Sequence, residues 1–162
     1  MKSILPILVT SLLFGCSNLP KYQAPSNLDD AQISLYSKLE LGGHLAFSVF
    51  SEANCKKPTM IIDGQATAAG PQQAVKDVNL ASGAKVTMMV ADINRFYYCA
   101  APFSFTPQSN EKYDVFYQRD SQGCSLTLRK QTDNGLVTEK SFKPLTYKKP
   151  FVTQGPYCEK DG

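Results

Sequence analysis

Between Gly42 and Phe142 the chain is cut by a turn signal about every eight to twelve residues, and no amphipathic helical period develops between the cuts. The runs alternate instead. "HLAFSVF" sets Leu45, Phe47 and Val49 against Ala46, Ser48 and Phe50, and "KYDVFYQR" puts Tyr113, Val115 and Tyr117 on one face. "TMIID" is a short apolar run between Pro58 and Gly64, followed by a long loop, "GQATAAGPQQ". "VKDVNL" and "KVTMMV" flank "ASG", a hairpin-length connection. "RFYYCAAPFSF" is aromatic, with Pro102 breaking it or confining it to an edge. "DSQG" leads into "CSLTLRK", with Cys124, Leu126 and Leu128 inward. "DNG" predicts a hairpin in which Asn134 and Gly135 both take positive φ, and "LVTEKSF" completes a three-strand meander. Upstream, "ISLYSKLEL" alternates over Ile33 to Leu41 and reads as a strand, against a helix over Leu28 to Leu39 begun by the capping-box-like "SNLD". The expected fold is all-β, an antiparallel β-sandwich of immunoglobulin or transthyretin-like kind, with a small β-barrel as the alternative.

Four cysteines follow Gly42, namely Cys55, Cys99, Cys124 and Cys158, at spacings of 44, 25 and 34 residues. Those spacings exclude the tight C-x-x-C pairs of zinc and redox sites. An even count in an exported chain reads as two disulfides, with three connectivities open. The expected pairs are Cys99–Cys124 and Cys55–Cys158. Cys99 precedes the F-x-F segment and Cys124 opens a strand one hairpin later, so both belong at one end of a sandwich. Cys158 then clamps the proline-rich tail.

The N-terminus supplies the export signal. Lys2 precedes an apolar stretch, Ile4 to Phe14, that falls short of the roughly twenty residues a membrane-crossing helix needs. It ends in Leu13-Phe14-Gly15-Cys16. This resembles the lipobox of bacterial lipoproteins, with Phe14 bulkier than the usual residue there. The resemblance implies a diacylglyceryl thioether on Cys16, cleavage between Gly15 and Cys16, and acylation of the new amine. Stable anchoring takes two or more acyl chains. In enterobacterial lipoproteins Asp after the cysteine favours inner-membrane retention. Ser17 stands there here, which points to the outer membrane, with the domain in the periplasm or at the cell surface. The organisation expected is a signal peptide over 1–15, a lipidated N-terminus and tether over 16–38, and the β-sandwich domain over 39–162. The stretch "CAAPFSFTPQSNEKYDVFY…GCSLTLRK", roughly residues 99 to 130, is also similar to a pattern in bacterial lipoproteins: Cys, F-x-F-x-P, a polar turn, a Tyr-led strand and a second Cys.

Charge and chemistry narrow the function classes. The formal net charge of +3 falls to +2 once Lys2 leaves with the signal, which gives no basic stripe for nucleic acid. His44 is the single histidine, so any Ser-His or Cys-His mechanism must use it, and no G-x-S-x-G surrounds a serine. "DINR" and "TDNG" lack the alternating carboxylates of a calcium loop and read as turns. "GQATAAG" lacks the Lys-Ser/Thr of a phosphate loop, and the scattered carboxylates single out no glycosidase pair. No metal and no cofactor is expected, and the chain reads as a non-enzyme. Tyr97, Tyr98, Phe103 and Phe105 cannot all face one core if their strand alternates, which makes Tyr97 and Tyr98 the candidate binding surface. "YKKP" with Lys56-Lys57 is a candidate basic spot for anionic headgroups or glycans, against plain solvated lysines. The expected function is a lipid-anchored envelope module that binds a protein or a glycan. The alternative is an inhibitor of a secreted enzyme such as a lysozyme, which the mature charge of +2 disfavours because lysozymes are mostly basic.

Overall fold

The computed structural model describes residues 19–27, 29–39, 43–66, 71–121 and 123–159. Ten strands follow in chain order: β1 Ala31–Leu39, β2 Gly43–Glu52, β3 Lys56–Ala66, β4 Gln72–Leu80, β5 Val86–Ile93, β6 Tyr98–Phe105, β7 Lys112–Asp120, β8 Gly123–Thr132, β9 Gly135–Thr138 and β10 Lys143–Pro144. They form two open five-stranded sheets, β4-β1-β7-β8-β9 and β10-β6-β5-β2-β3. The fold is a β-sandwich and does not close into a barrel. Among the described residues every pairing is antiparallel except β1 with β7 and a parallel bridge from Lys21 to Met60.

The alternation explains the core. Ile33 and Leu35 of β1, Leu45 and Phe47 of β2, Met88 and Val90 of β5, Phe103 and Phe105 of β6, Tyr113, Val115 and Tyr117 of β7, and Leu128 of β8 meet between the sheets. Two-residue periodicity puts each of these on the inner face of its strand. The outer face of the β2–β5–β6 layer is also apolar, through Phe50, Met89, Ala91 and Ala100, and a second layer covers it. Residues 145–159 form an arm that folds back on itself, with Lys148 N donating to Tyr157 O and Glu159 N to Thr146 O, at 2.9 and 3.0 Å. Leu145, Tyr147 and Tyr157 of this arm pack over the outer cluster.

Both expected disulfides form. Cys99–Cys124, Cα–Cα 6.3 Å, ties β6 to β8 and so staples one sheet to the other. Cys55–Cys158, Cα–Cα 5.4 Å, holds the arm to the β2–β3 turn. Loop-closure entropy assigns them roughly 3.5 and 4.7 kcal/mol, for separations of 25 and 103 residues.

Four expectations need correction. "ASG" does not close a hairpin, because β4 pairs with β1 and β5 with β2 and β6, so the connection crosses from one sheet to the other. At "DNG" only Gly135 has positive φ, at 109°; Asn134 does not. Thr132 pairs with Gly135, and the geometry fits a type I turn followed by a glycine bulge instead of a turn with both positions left-handed. Pro102 lies inside β6, opposite Met89. It is tolerated there because its carbonyl, and hence its nitrogen, faces the two-residue β10: Leu145 N donates to Pro102 O at 2.9 Å. Finally, residues assigned to the tether belong to the domain. β1 sits between β4 and β7, with Ile33 and Leu35 fully buried. Further upstream, Met60 N donates to Pro20 O and Tyr22 N to Met60 O, both at 2.8 Å. The open backbone groups of β3, an edge strand, take these partners.

Candidate functional site at the tip of the β5–β6 hairpin

β5 and β6 are in register from Val86↔Phe105 to Ile93↔Tyr98, which leaves Asn94, Arg95, Phe96 and Tyr97 as the connection. Asn94 ties it shut. Its backbone N–H donates to Tyr97 O at 2.9 Å, and its side-chain oxygen accepts from the N–H groups of Phe96 and Tyr97, both at 2.8 Å. An Asn that caps its own turn in this way is a common device for fixing a short loop. The fixed loop and the strand ends beside it carry unusual exposure for apolar residues: Phe96 is 74 % exposed and Tyr97 58 % in the loop, Tyr98 47 % and Ile93 46 % at its flanks. The Arg95 guanidinium lies 5.8 Å from the Phe96 ring centre.

Below the tip is a buried charged network that ties both sheets to it. Asp92 of β5 and Arg119 of β7 are in phase with the inward residues of their strands and are both buried. Arg119 Nε lies 2.9 Å from Asp92 Oδ1 as an ion pair, off the line of a hydrogen bond. The Tyr117 hydroxyl donates to Asp92 Oδ2. The same guanidinium extends to 5.9 Å from the centre of the Tyr97 ring. In the pairing registers, Asp92 is opposite Cys99 and Arg119 opposite Cys124, so the ion pair and the inter-sheet disulfide are neighbours. Burial raises the Asp92 carboxyl above its ordinary range, against the opposing pull of the Tyr117 hydrogen bond and the Arg119 charge. Burial and the Asp92 carboxylate likewise push the Tyr117 hydroxyl up, so it stays a proton donor. Tyr98 is half-covered by Tyr147 of the arm, ring centres 5.4 Å apart, and burial raises its hydroxyl too.

The aromatic run therefore divides. Phe103 and Phe105 are each 1 % exposed and belong to the core, whereas Tyr97 and Tyr98 are at the surface. Cys55, Cys99, Cys124 and Cys158 are structural, and Cys16 lies outside the described residues. Asp92, expected in a turn, is in β5; the stretch "TDNG" does turn the chain from β8 into β9.

A groove of about 240 Å³ lies on the outer face of the β2–β5 layer, floored by Ala46, Met60, Met89 and Ala91. His44 and Asp63 pair on its rim through Nε2 and Oδ1. Ser48 lines the groove too, two strand positions beyond Ala46 and on the same face as His44, but it is 2 % exposed. Four residue steps of extended chain, roughly 13 Å, separate Ser48 from His44, beyond the hydrogen-bond reach that a nucleophile–base pair requires. Among the described residues no group of three or more His, Cys, Asp or Glu side chains is placed to hold a metal ion.

The parts that sequence reasoning missed are Phe96, Ile93 and the Asp92–Arg119–Tyr117 network. The network did leave a signal. Asp92 continues the Met88-Val90 phase and Arg119 the Val115-Tyr117 phase, so opposite charges occupied two core-facing positions. No protein-family model matches the chain, and no curated protein sequence matches it either.

Proposed function

We propose that the protein is a lipid-anchored, non-catalytic module of the cell envelope that captures a partner through the Asn94–Tyr98 tip. The observation that carries this reading is the combination of exposure and order in one short loop. Exposed aromatics beside an arginine are the residue types that dominate binding energy at interfaces. Their side chains lose little freedom on docking when the loop is already fixed, which favours affinity. Asn94 and the Arg119 guanidinium provide that fixing. The lipobox-like Leu13-Phe14-Gly15-Cys16 supports anchoring at the outer membrane, with the domain in the periplasm or at the cell surface. Two disulfides suit an oxidising compartment. The partner class is an envelope protein or a glycan.

Two sets of variants test the two halves of the reading. Cys16→Ser should abolish the acyl mass on the N-terminal peptide and shift the protein out of its normal membrane fraction. Phe96→Ala with Tyr97→Ala should lower capture of the crosslinked partner at least tenfold while the melting temperature stays within a few degrees of wild type. Undiminished capture by the folded double variant would remove the tip from the account.

A further inference from the structure

Opposite the tip, the structure places a second exposed feature that partner capture does not use. The arm turns back through residues 149–155, and there Phe151 is 99 % exposed and Val152 61 % exposed. The turn is fixed in place. Gly155 N donates to Val152 O at 3.0 Å, Lys57 N to Gln154 O at 2.8 Å, and Tyr157 N to Cys55 O at 3.0 Å. Around it lie Lys56 and Lys57 at the start of β3, and Lys148 and Lys149 within the arm, with Lys21 on the neighbouring N-terminal segment. Among the described residues of the β2–β3 turn, 52–57, and of the arm, 145–159, the acidic side chains are Glu52, 2.9 Å from Lys57, and Glu159, so the balance is cationic.

The path of the N-terminal segment leads to the same end. The bridge from Lys21 to Met60 is parallel, so stepping back from Lys21 to Leu19 runs down β3 toward Pro58 and Lys57. Leu19 lines the groove together with Pro58 and Tyr157. Cys16 is three residues upstream, and an extended chain of that length reaches at most about 10 Å. The aromatic tip is at the other end. Phe50 pairs with Pro58 and His44 with Ile93, and the six residue steps of β2 from one to the other span roughly 20 Å.

We infer that the Lys148–Val152 turn, with Lys56 and Lys57, is a membrane-docking face. In this arrangement the Phe151 and Val152 side chains enter the headgroup region of a bilayer and the lysines meet anionic headgroups. Two properties of the site point to a bilayer. An apolar pair ringed by flexible cations matches an anionic interface, where the rings sit at headgroup level and lysines extend to phosphates. The acyl attachment point is within about 10 Å of the same end. The orientation rests on the proposal that Cys16 is acylated; the docking of the turn itself does not. Together they stand the domain on the membrane with the β5–β6 tip facing away from it.

The chain has no tryptophan, so Phe151→Trp makes a single-site reporter. The full-length lipidated variant is reconstituted in vesicles of phosphatidylcholine with phosphatidylglycerol and brominated acyl chains. A parallel Tyr97→Trp variant reports on the tip. The expected result is a blue-shifted, bromine-quenched indole in the Phe151→Trp variant and an unquenched one in the Tyr97→Trp variant. Lys148→Glu with Lys149→Glu should lower the quenched fraction, and pure phosphatidylcholine should do the same, by about fivefold per lysine in partition, equivalent to about 1 kcal/mol each. An unquenched indole in membrane-bound Phe151→Trp protein overturns the docking face. A blue shift that appears without vesicles and grows with protein concentration also overturns it, in favour of self-association. If mass analysis finds no acyl group, the anchor proposal falls. The same Phe151→Trp reporter, titrated with anionic vesicles, then still decides the docking face: a saturable blue shift supports it and a flat response ends it.

Discussion

Gly155 and Asp92 show how single residues are constrained by what surrounds them. Gly155 has φ 94°, and a Cβ placed on it would lie 2.5 Å from the Cys55 carbonyl oxygen. Both the backbone region and the space exclude a side chain. Gly155→Ala should therefore cost about 1–3 kcal/mol in thermal or denaturant unfolding, and should loosen the arm first. Asp92 is held between Arg119 and Tyr117, so Arg119→Leu leaves a buried carboxylate with the Tyr117 hydroxyl alone. The expected loss is about 3–5 kcal/mol, and adding Asp92→Asn should recover part of it. The pH dependence has a defined sign. A carboxyl raised in the folded state binds its proton more tightly there than in the unfolded chain. Its contribution is most favourable below the unfolded value of about 3.9 and is lost as the pH rises through the raised folded value. In the Arg119→Leu, Asp92→Asn double variant that segment of the profile of melting temperature against pH should flatten.

The elements themselves were mostly legible, because two-residue alternation and turn residues act locally. β2, β5, β7 and β8 lie where the alternation put them. Which strand pairs with which was not legible wherever a short connection changes sheets. "ASG" has the length of a hairpin turn, yet β4 is bound by β1, whose apolar face is central to the core. The outer cluster under the arm was hidden for a related reason: an apolar outer face reads as an edge or a surface until something distant in sequence covers it. The tip is an element whose shape depends on one polar side chain. Asn94→Ala removes both acceptor contacts to the backbone of Phe96 and Tyr97. It should weaken partner capture several-fold and speed amide exchange across residues 94–97, with global stability reduced by no more than about 1 kcal/mol.

At the scale of the whole molecule the two ends differ in chemistry. One end gathers the cationic arm turn and the start of the N-terminal segment; the other presents an ordered aromatic loop braced by a disulfide and a buried ion pair. Composition could not reveal this separation, since the lysines of the one end and the aromatics of the other are interleaved along the sequence and are parted only by strand direction. The function proposed for the protein is binding at the β5–β6 tip. A photo-reactive amino acid placed at Tyr97 in intact cells tests it most directly, with Thr127 on the exposed face of β8 as the control position. The account predicts a discrete crosslinked product from position 97, absent at position 127 and lost when Asn94→Ala is introduced alongside. Crosslinking from position 127 with none from position 97, in protein that is folded and at its normal level, would contradict it.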